Sequence, residues 1–146
     1  PTAPNEDYTA DIQTLMGASG VVPFSGTLLV GEAGRARTAV AGDRYGAVVA
    51  ASHAYLPHNA QSPYRQYAWG GLVAVAPSHR GMGLGNYINA RIASIAFHEL
   101  GATHFYELVS ATNEASRRMV VAGGLHHEAG LVCGIATANS ADKYTR

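Results

Sequence analysis

A glycine-rich loop between an apolar strand and an amphipathic helix constrains the fold of this chain more than any other segment. The strand pattern covers residues 72–76 and ends at Pro77. The loop then carries a glycine at every second position: Gly81, Gly83 and Gly85. Apolar residues follow at spacings of four, four and three, which is typical of one buried helix face: Leu84, Ile88, Ile92 and Ile95. The segment is therefore predicted to fold as strand, loop and helix, with Gly101 just past the helix end.

This loop has the physical properties of a phosphate-binding site. A helix N terminus leaves backbone N–H groups without acceptors, and the helix dipole favours an anion there. Glycines let phosphate oxygens approach the backbone, and Arg80 at the head of the loop offers a charge-assisted contact. The candidate anion-binding residues are Arg80, Gly81, Met82, Gly83, Leu84 and Gly85. The alternative is a glycine-rich turn that binds nothing.

The spacing within the loop excludes two common nucleotide-binding motifs. A P-loop ends in Gly-Lys-Ser/Thr, whereas this loop ends in Gly83-Leu84-Gly85-Asn86. A dinucleotide-binding fingerprint requires its third glycine where Asn86 stands.

Two segments resemble one family. Arg80, Gly83 and Gly85 form an Arg-x-x-Gly-x-Gly pattern after a Val-x-Val-x-Pro strand. This pattern resembles the pyrophosphate-binding motif of the GNAT superfamily of acyl-coenzyme A-dependent N-acetyltransferases. A second segment resembles the fourth helix of that superfamily through Asn113, Ser116, Met119, Gly124 and Leu125. The resemblance covers residues 47–135 well and the first forty poorly.

The resemblance and the residue patterns together predict an α+β fold, an α/β/α sandwich with a GNAT-like mixed, twisted sheet and helices on both faces. Patterns indicate a first helix through Ile12, Leu15 and Met16, capped by Thr9 or Asp11. Strands are expected at 27–30, 37–41, 47–56, 67–76, 103–110 and 131–136, with a further helix at 113–122. Residues 1–146 are expected to form a single GNAT-like acetyltransferase domain. Its N-terminal elements are expected to be either abbreviated or missing, the second if the chain is the C-terminal part of a longer protein. We expect the strand before Pro77 and the strand from Thr103 to diverge at their C-terminal ends.

The resemblance implies transfer of an acetyl group from acetyl-coenzyme A, the co-substrate, to a primary amine. It assigns the pantetheine arm to the backbones of Leu72, Val73 and Val75. Asn113 and Ser116 of the second motif are also expected to contact the coenzyme, and Arg117 or Arg118 to contact a coenzyme phosphate. The aromatic residues suggest a small or medium acceptor, a small molecule or a peptide amine, near the hairpin: Tyr55, Tyr64, Tyr67 and Trp69.

The acid and base of the reaction are less clearly marked. Family members often carry a proton-donating tyrosine seven residues after the asparagine, where this chain has Val120. The strand before the loop lacks the carboxylate that often serves as base. The remaining catalytic candidates are Glu107, His53 and Tyr106. Glu107 could instead make a structural pair or face solvent, and His53 could be a core histidine with its hydrogen bonds satisfied.

Composition limits the partners. Ten basic and ten acidic residues provide no polycationic face, which argues against nucleic acid. No apolar run approaches the ~20 residues of a membrane helix, and the first residues do not read as a secretory signal. Cys133 is the single cysteine, so a cytoplasmic location is the expectation, with a homodimer or an additional domain left open.

No metal is expected. His98-Glu99 begins like a zinc-protease motif, but the next histidine is His104, beyond the helix end. His126 and His127 are adjacent and would point to opposite sides of a strand.

Two other functions remain open. An acyl-coenzyme A-binding regulatory or assembly domain without catalysis fits Val120 and the carboxylate-free strand. A dinucleotide-binding oxidoreductase is opposed by Asn86 and by the predicted antiparallel hairpin.

Overall fold

The computed structural model describes residues 8–21 and 34–129 of the chain. In chain order these residues form helix α1 (Thr9–Ala18), strands β1 (Ala36–Gly42), β2 (Val48–Tyr55) and β3 (Tyr67–Val75), a 3₁₀ turn (Pro77–His79), helix α2 (Leu84–His98), strand β4 (His104–Glu107) and helix α3 (Glu114–Ala122). The strands predicted at 27–30 and 131–136 lie outside the described residues.

The strands form one mixed sheet in the order β1-β2-β3-β4. The pairs β1–β2 and β2–β3 are antiparallel, and β3 pairs with β4 in parallel. The predicted hairpin between β1 and β2 is present, and Asp43 Oδ1 closes its turn by accepting the N–H groups of Tyr45 and Ala47. The prediction of a mixed sheet is therefore confirmed.

Strands β3 and β4 separate part of the way along β3. Their pairing runs from Tyr67 opposite His104 to Gly70 opposite Glu107, whereas β3 continues to Val75. The predicted divergence is thus confirmed. The prediction that the strand from Thr103 extends to residue 110 is wrong, because β4 ends at Glu107, where its pairing with β3 ends.

A β-bulge accounts for this separation. Ala51 pairs with Ala74 and His53 with Gly71, so that two residues of β3 lie opposite Ser52 alone. Leu72, within the bulge, has a φ of 53°, a left-handed conformation that costs energy for any residue with a side chain. Ser52 Oγ donates to the Gly71 carbonyl at 3.4 Å. Because a bulge bends and twists its strand, β3 turns away from β4 at this point.

Helices cover both faces of the sheet, as predicted. On one face Ile12, Leu15 and Met16 of α1 pack against Ala51 and Ala74. On the other face α2 packs against alternate strand residues, forming a core of Ala39, Ala50, Ala54, Ala68, Ile88, Ile92 and Ala96 with neighbouring residues. Alternation along β2 sends Ala50 and Ala51 to opposite cores.

The start of α1 differs from the expectation. Tyr8 is the N-cap residue, and no side chain caps the helix. Thr9 is already helical. Asp11 lies in the first turn, where its charge interacts favourably with the helix dipole although its side chain does not cap the helix. The predicted cap at Thr9 or Asp11 is therefore wrong.

Gly70→Ala is expected to destabilise the fold. A Cβ at Gly70 would lie 2.0 Å from Cζ of Phe105, so the Phe105 ring would have to move within the core. Overpacking of this kind costs about 1–3 kcal/mol, which urea denaturation measures. Gly42→Ala in β1 is the matched control, since a Cβ there would lie 3.6 Å from the nearest atom. Equal stability of the two variants would contradict the close approach of β3 and Phe105.

Candidate functional site

The N terminus of α2 presents backbone donors to the glycine loop. Gly83 is the N-cap residue, with φ 78°, and no side chain caps the helix. The Tyr87 N–H donates to the Gly83 carbonyl at 3.0 Å. Helix geometry therefore leaves the N–H groups of Leu84, Gly85 and Asn86 without an intrahelical acceptor.

The three loop glycines do not have the same role. Gly81 and Gly83 both have positive φ, and a Cβ on either would meet nothing within 4 Å, so the backbone conformation is what favours glycine there. At Gly85 a Cβ would lie 3.5 Å from Sδ of Met119 and 3.9 Å from Val75. These distances are ordinary van der Waals contacts, so at Gly85 neither the backbone conformation nor a steric clash requires glycine.

Arg80 is anchored across the end of β3. Its Nε donates to the Val75 carbonyl at 3.3 Å, and the side chain is exposed. This contact uses only Nε, so the terminal guanidinium nitrogens stay beside the loop as donors for an anion.

Asn113 is the N-cap of α3. Its Oδ1 accepts the Ser116 N–H at 3.1 Å, which leaves the Nδ2 group as a donor. Arg117 forms an exposed ion pair with Glu114 at 3.4 Å, whereas Arg118 is exposed and makes no ion pair with a described residue. Of the two arginines considered for a phosphate contact, Arg118 is the one whose charge is not already paired.

His53 is buried in β2, opposite Gly71 of the bulge. It is 3% exposed, and its Nδ1 lies 2.7 Å from the Thr38 hydroxyl oxygen. Burial disfavours the charged ring and lowers the pKa of His53 to about 4. The side chain is therefore neutral at physiological pH.

Glu107 and Tyr106 point to opposite faces of the sheet because they are consecutive in β4. Phe105 packs against the α2-side core, so Glu107 lies on that same side and Tyr106 on the side of α1. Burial raises the pKa of Glu107, and the nearby Asn89 side chain partly opposes this rise. The three catalytic candidates thus do not form one cluster, since His53 lies with Tyr106 and away from Glu107.

Asn89 is a site residue that the sequence pattern did not single out. It lies on α2, is 1% exposed, and neither its Nδ2 nor its Oδ1 makes a hydrogen bond of normal geometry with a described residue. The signal was present: Asn89 falls four residues after Gly85 and three before Ile92, on the buried helix face. A polar residue on that face requires a partner.

Aromatic side chains cover the opposite face of the sheet beside the bulge. Tyr55 and Trp69 have ring centroids 5.3 Å apart, and Trp69 pairs with Tyr106. Tyr67 stacks on His104 at 4.1 Å and meets Tyr64 edge-on at 5.2 Å. The four aromatic residues predicted near an acceptor thus lie in two neighbouring groups at one end of β2 and β3.

The described residues contain neither a cluster of metal ligands nor a membrane-spanning helix. Within residues 8–21 and 34–129, no three His, Cys, Asp or Glu side chains are close enough to hold a metal ion. In the same part of the chain, no helix has the length and apolar character needed to cross a membrane.

His53→Gln is expected to flatten the dependence of stability on pH. Because the pKa falls from 6.5 when unfolded to about 4 when folded, the unfolded state binds the extra proton between these values. The unfolding free energy should be unaffected by His53 above pH 6.5 and should fall by about 3 kcal/mol towards pH 4. Urea denaturation at several pH values measures this, with exposed His126→Gln as control. An unchanged pH dependence in His53→Gln would contradict the buried, neutral state.

The comparisons with known proteins agree on one family. The model of the Acetyltransferase (GNAT) family matches residues 25–122. No curated protein sequence matches the chain. Solved structures match at low identity, and their likeness shows the fold.

Three of these structures cover nearly the whole chain. A protein of Agrobacterium tumefaciens str. C58, provisionally described as an acetyltransferase, has a TM-score of 0.68 at 16% identity, covering 90% of this chain and 94% of its own. The aminoglycoside antibiotic 6'-N-acetyltransferase AAC(6')-IG of Acinetobacter haemolyticus has a TM-score of 0.67 at 15% identity, covering 95% and 97%. The glucosamine-6-phosphate N-acetyltransferase of Arabidopsis thaliana has a TM-score of 0.59 at 13% identity, covering 92% and 94%.

Proposed function

Since the chain belongs to the acetyltransferase (GNAT) family, we propose that it transfers an acetyl group from acetyl-coenzyme A to a primary amine. The observation that carries this proposal is the separation of β3 from β4 after Gly70, beside the uncapped N terminus of α2. Together these features provide a backbone edge for the pantetheine arm and a set of N–H donors for the pyrophosphate.

The pyrophosphate would bind the loop of residues 81–85 and the Arg80 guanidinium. The amides at the start of α2 lack intrahelical acceptors, and the left-handed Gly81 and Gly83 keep the loop backbone open to an anion. Arg118, exposed on α3, would contact a second phosphate group.

The pantetheine arm would lie along β3 where β4 no longer pairs with it. Between residues 71 and 75 β3 no longer pairs with β4, and its backbone offers groups of the kind that extend a sheet, including those of Leu72 and Val73 and the N–H of Val75. The Val75 carbonyl already accepts from Arg80 Nε and Ser19 Oγ. The bulge at Leu72 turns an N–H group out of the regular ladder. Such a donor would polarise the thioester carbonyl, and Nδ2 of Asn113 would bind the arm from α3.

The acceptor amine would approach over the aromatic face beside the bulge. Tyr55, Trp69 and Tyr106 lie on that face, and the Trp69 ring lies against Gly71, where a Cβ would meet it at 2.9 Å. Aromatic rings bind apolar bodies and ammonium groups, so a small molecule or a peptide amine would fit. The names of two similar structures concern amino sugars, an aminoglycoside and glucosamine-6-phosphate. The sequence has a single cysteine, Cys133, and so cannot form a disulfide within the chain, which supports a cytoplasmic location.

A second function remains a candidate because of one observation. Val120 holds the position where the family often has a proton-donating tyrosine, and β3 carries no carboxylate. A protein that binds acyl-coenzyme A for regulation or assembly would need neither group.

A thiol-release assay with acetyl-coenzyme A and a panel of amines separates the two functions. The panel should contain amino sugars, polyamines, amino acids and peptide N termini, with a matched reaction that lacks protein. Amine-dependent release of the thiol supports the enzyme. Calorimetric binding of acetyl-coenzyme A without turnover on any amine supports the binding module, and absence of binding contradicts both.

A further inference from the structure

A half-buried carboxyl group, whose Oε1 is fully buried, lies at the point where β3 and β4 separate. Glu107 is the last residue of β4 and pairs with Gly70, the last residue of β3 that pairs with β4. The bulge at Leu72 and Val73 follows after Gly71 in β3. Under the proposed function the thioester binds at this bulge. Glu107, at the end of the neighbouring strand, would then lie beside the reacting atoms.

The side chains of Glu107 and Asn89 are neighbours, but their contact is not a hydrogen bond of normal geometry. Glu107 Oε1 and both polar atoms of the Asn89 side chain are buried and make no hydrogen bond of normal geometry with a described residue. Leaving a buried amide or carboxyl group unsatisfied costs about 1–3 kcal/mol, and folded proteins rarely tolerate it without a reason. A ligand that inserts between the diverging strands would supply the missing hydrogen-bond partners.

The same pair of residues borders the helix that carries Val120. Gly123 is the C-cap residue of α3, one turn after Val120. A Cβ on Gly123 would lie 3.8 Å from Nδ2 of Asn89. Glu107, Asn89 and the C-terminal end of α3 are therefore neighbours. Family members often have their proton-donating tyrosine on this helix at the position of Val120, and a valine side chain has no proton to give.

We propose that Glu107, oriented by Asn89, protonates the coenzyme A thiolate in place of that tyrosine. The inference rests on the proposed function and names the acid of the same site. It makes Glu107 the catalytic residue and Asn89 a positioning residue.

The step balances in protons and electrons. The neutral amine nitrogen forms a bond to the thioester carbonyl carbon, and the C–S bond breaks with its electron pair going to sulfur. The Glu107 carboxyl group gives its proton to that sulfur. The proton lost by the nitrogen then restores the carboxyl group, so an amide and a free thiol are the only products.

Burial and one neutral amide control the protonation of Glu107. Burial favours the protonated form by raising the pKa of this carboxyl group, and Asn89 opposes it from α2. No charged group contributes to the shift. The charged and titratable side chains of the two adjoining helices are exposed at the surface: Tyr87, Arg91, His98, Glu114, Arg117 and Arg118.

Glu107→Gln tests the assignment, with Glu99→Gln, an exposed carboxylate at the end of α2, as matched control. We expect kcat to fall by about 100-fold or more in Glu107→Gln, the range for loss of a general acid, while KM for acetyl-coenzyme A stays within a factor of two to three. The control should keep wild-type values. Unchanged turnover in Glu107→Gln would overturn the proposal.

The double variant Glu107→Gln/Val120→Tyr separates an acid from a structural residue. If Glu107 supplies the proton, the tyrosine restores the family arrangement, and kcat should be at least tenfold higher in the double variant than in Glu107→Gln. A structural role predicts no recovery, and that result would overturn the assignment.

Asn89→Leu should raise the pKa of Glu107, because the amide that opposes the rise is gone. Carbon NMR of the labelled carboxyl group in the free protein measures this pKa. An unmoved pKa would overturn the positioning role.

A further measurement distinguishes failure of the Glu107 assignment from failure of the proposed function. The thiol of bound coenzyme A, followed by the ultraviolet absorbance of its thiolate, should titrate at lower pH in Glu107→Gln than in the wild type, since a nearby carboxylate disfavours a second negative charge. Identical titrations would overturn the role of Glu107 while leaving the proposed function intact. Failure of the wild type to bind coenzyme A would instead remove the proposed function itself.

Discussion

In Gly83→Val, coenzyme A binding is expected to fall by at least about 100-fold, which corresponds to the loss of two hydrogen bonds to a charged group. Gly83 has φ 78° and caps α2, and the space around its Cβ position is open within 4 Å. A valine side chain would fill the space that the pyrophosphate needs and would strain the loop backbone. The effect on folding should be limited to about 1–2 kcal/mol of left-handed strain, since nothing in the fold is displaced. Calorimetric titration with coenzyme A measures the loss.

Gly101→Val is the matched control for this variant. Gly101 also has positive φ, 66°, and open space around its Cβ position, but it lies beyond the other end of α2. The backbone penalty is therefore similar, while the anion site is untouched. Wild-type affinity in both variants would mean that the loop is only a turn.

Ile92→Ala is expected to cause the largest loss of stability, about 2–5 kcal/mol in the unfolding free energy. Ile92 is fully buried at the centre of the α2 face. Its neighbours in that core include Ala50, Ala54 and Ala68, which are too short to fill the space it leaves. The cavity should therefore persist, which places the loss towards the upper part of the range.

Urea denaturation measures this loss, and Val121→Ala is its control. Val121 is 65% exposed on α3 and should change stability by no more than about 0.5 kcal/mol. A loss below about 1 kcal/mol in Ile92→Ala would mean that α2 does not pack on the sheet as described.

The elements that position the site were predictable because local pattern and tertiary packing agree in them. The spacing of Ile88 and Ile92 defined the buried face of α2, and Asp43 and Gly46 marked the turn of the hairpin. The divergence of β3 and β4 was expected from the resemblance and is present. The end of β4 was placed three residues too late because the apolar residues Leu108 and Val109 continue the strand pattern, whereas pairing with β3 ends at Glu107.

Other features of the site depend on contacts that no sequence window contains. The left-handed conformation falls on Leu72 and not on the adjacent Gly70 or Gly71, so the register between β2 and β3 is needed to locate the bulge. The link between Asn89 and Glu107 joins residues on different elements, as does the proximity of Gly85 in α2 to Met119 of α3. Spacing predicted the glycine loop between β3 and α2, but it could not predict that His53 and Glu107 would lie on opposite faces of the sheet.

The balance between thiol released and amine acetylated tests the central claim most directly. The wild-type protein is incubated with isotopically labelled acetyl-coenzyme A and an amine that stimulates thiol release, and the acetylated amine is quantified by mass spectrometry. The account predicts one labelled N-acetyl group on the amine for each thiol released, and no release without the amine. Thiol release that leaves the amine unmodified would contradict acetyl transfer.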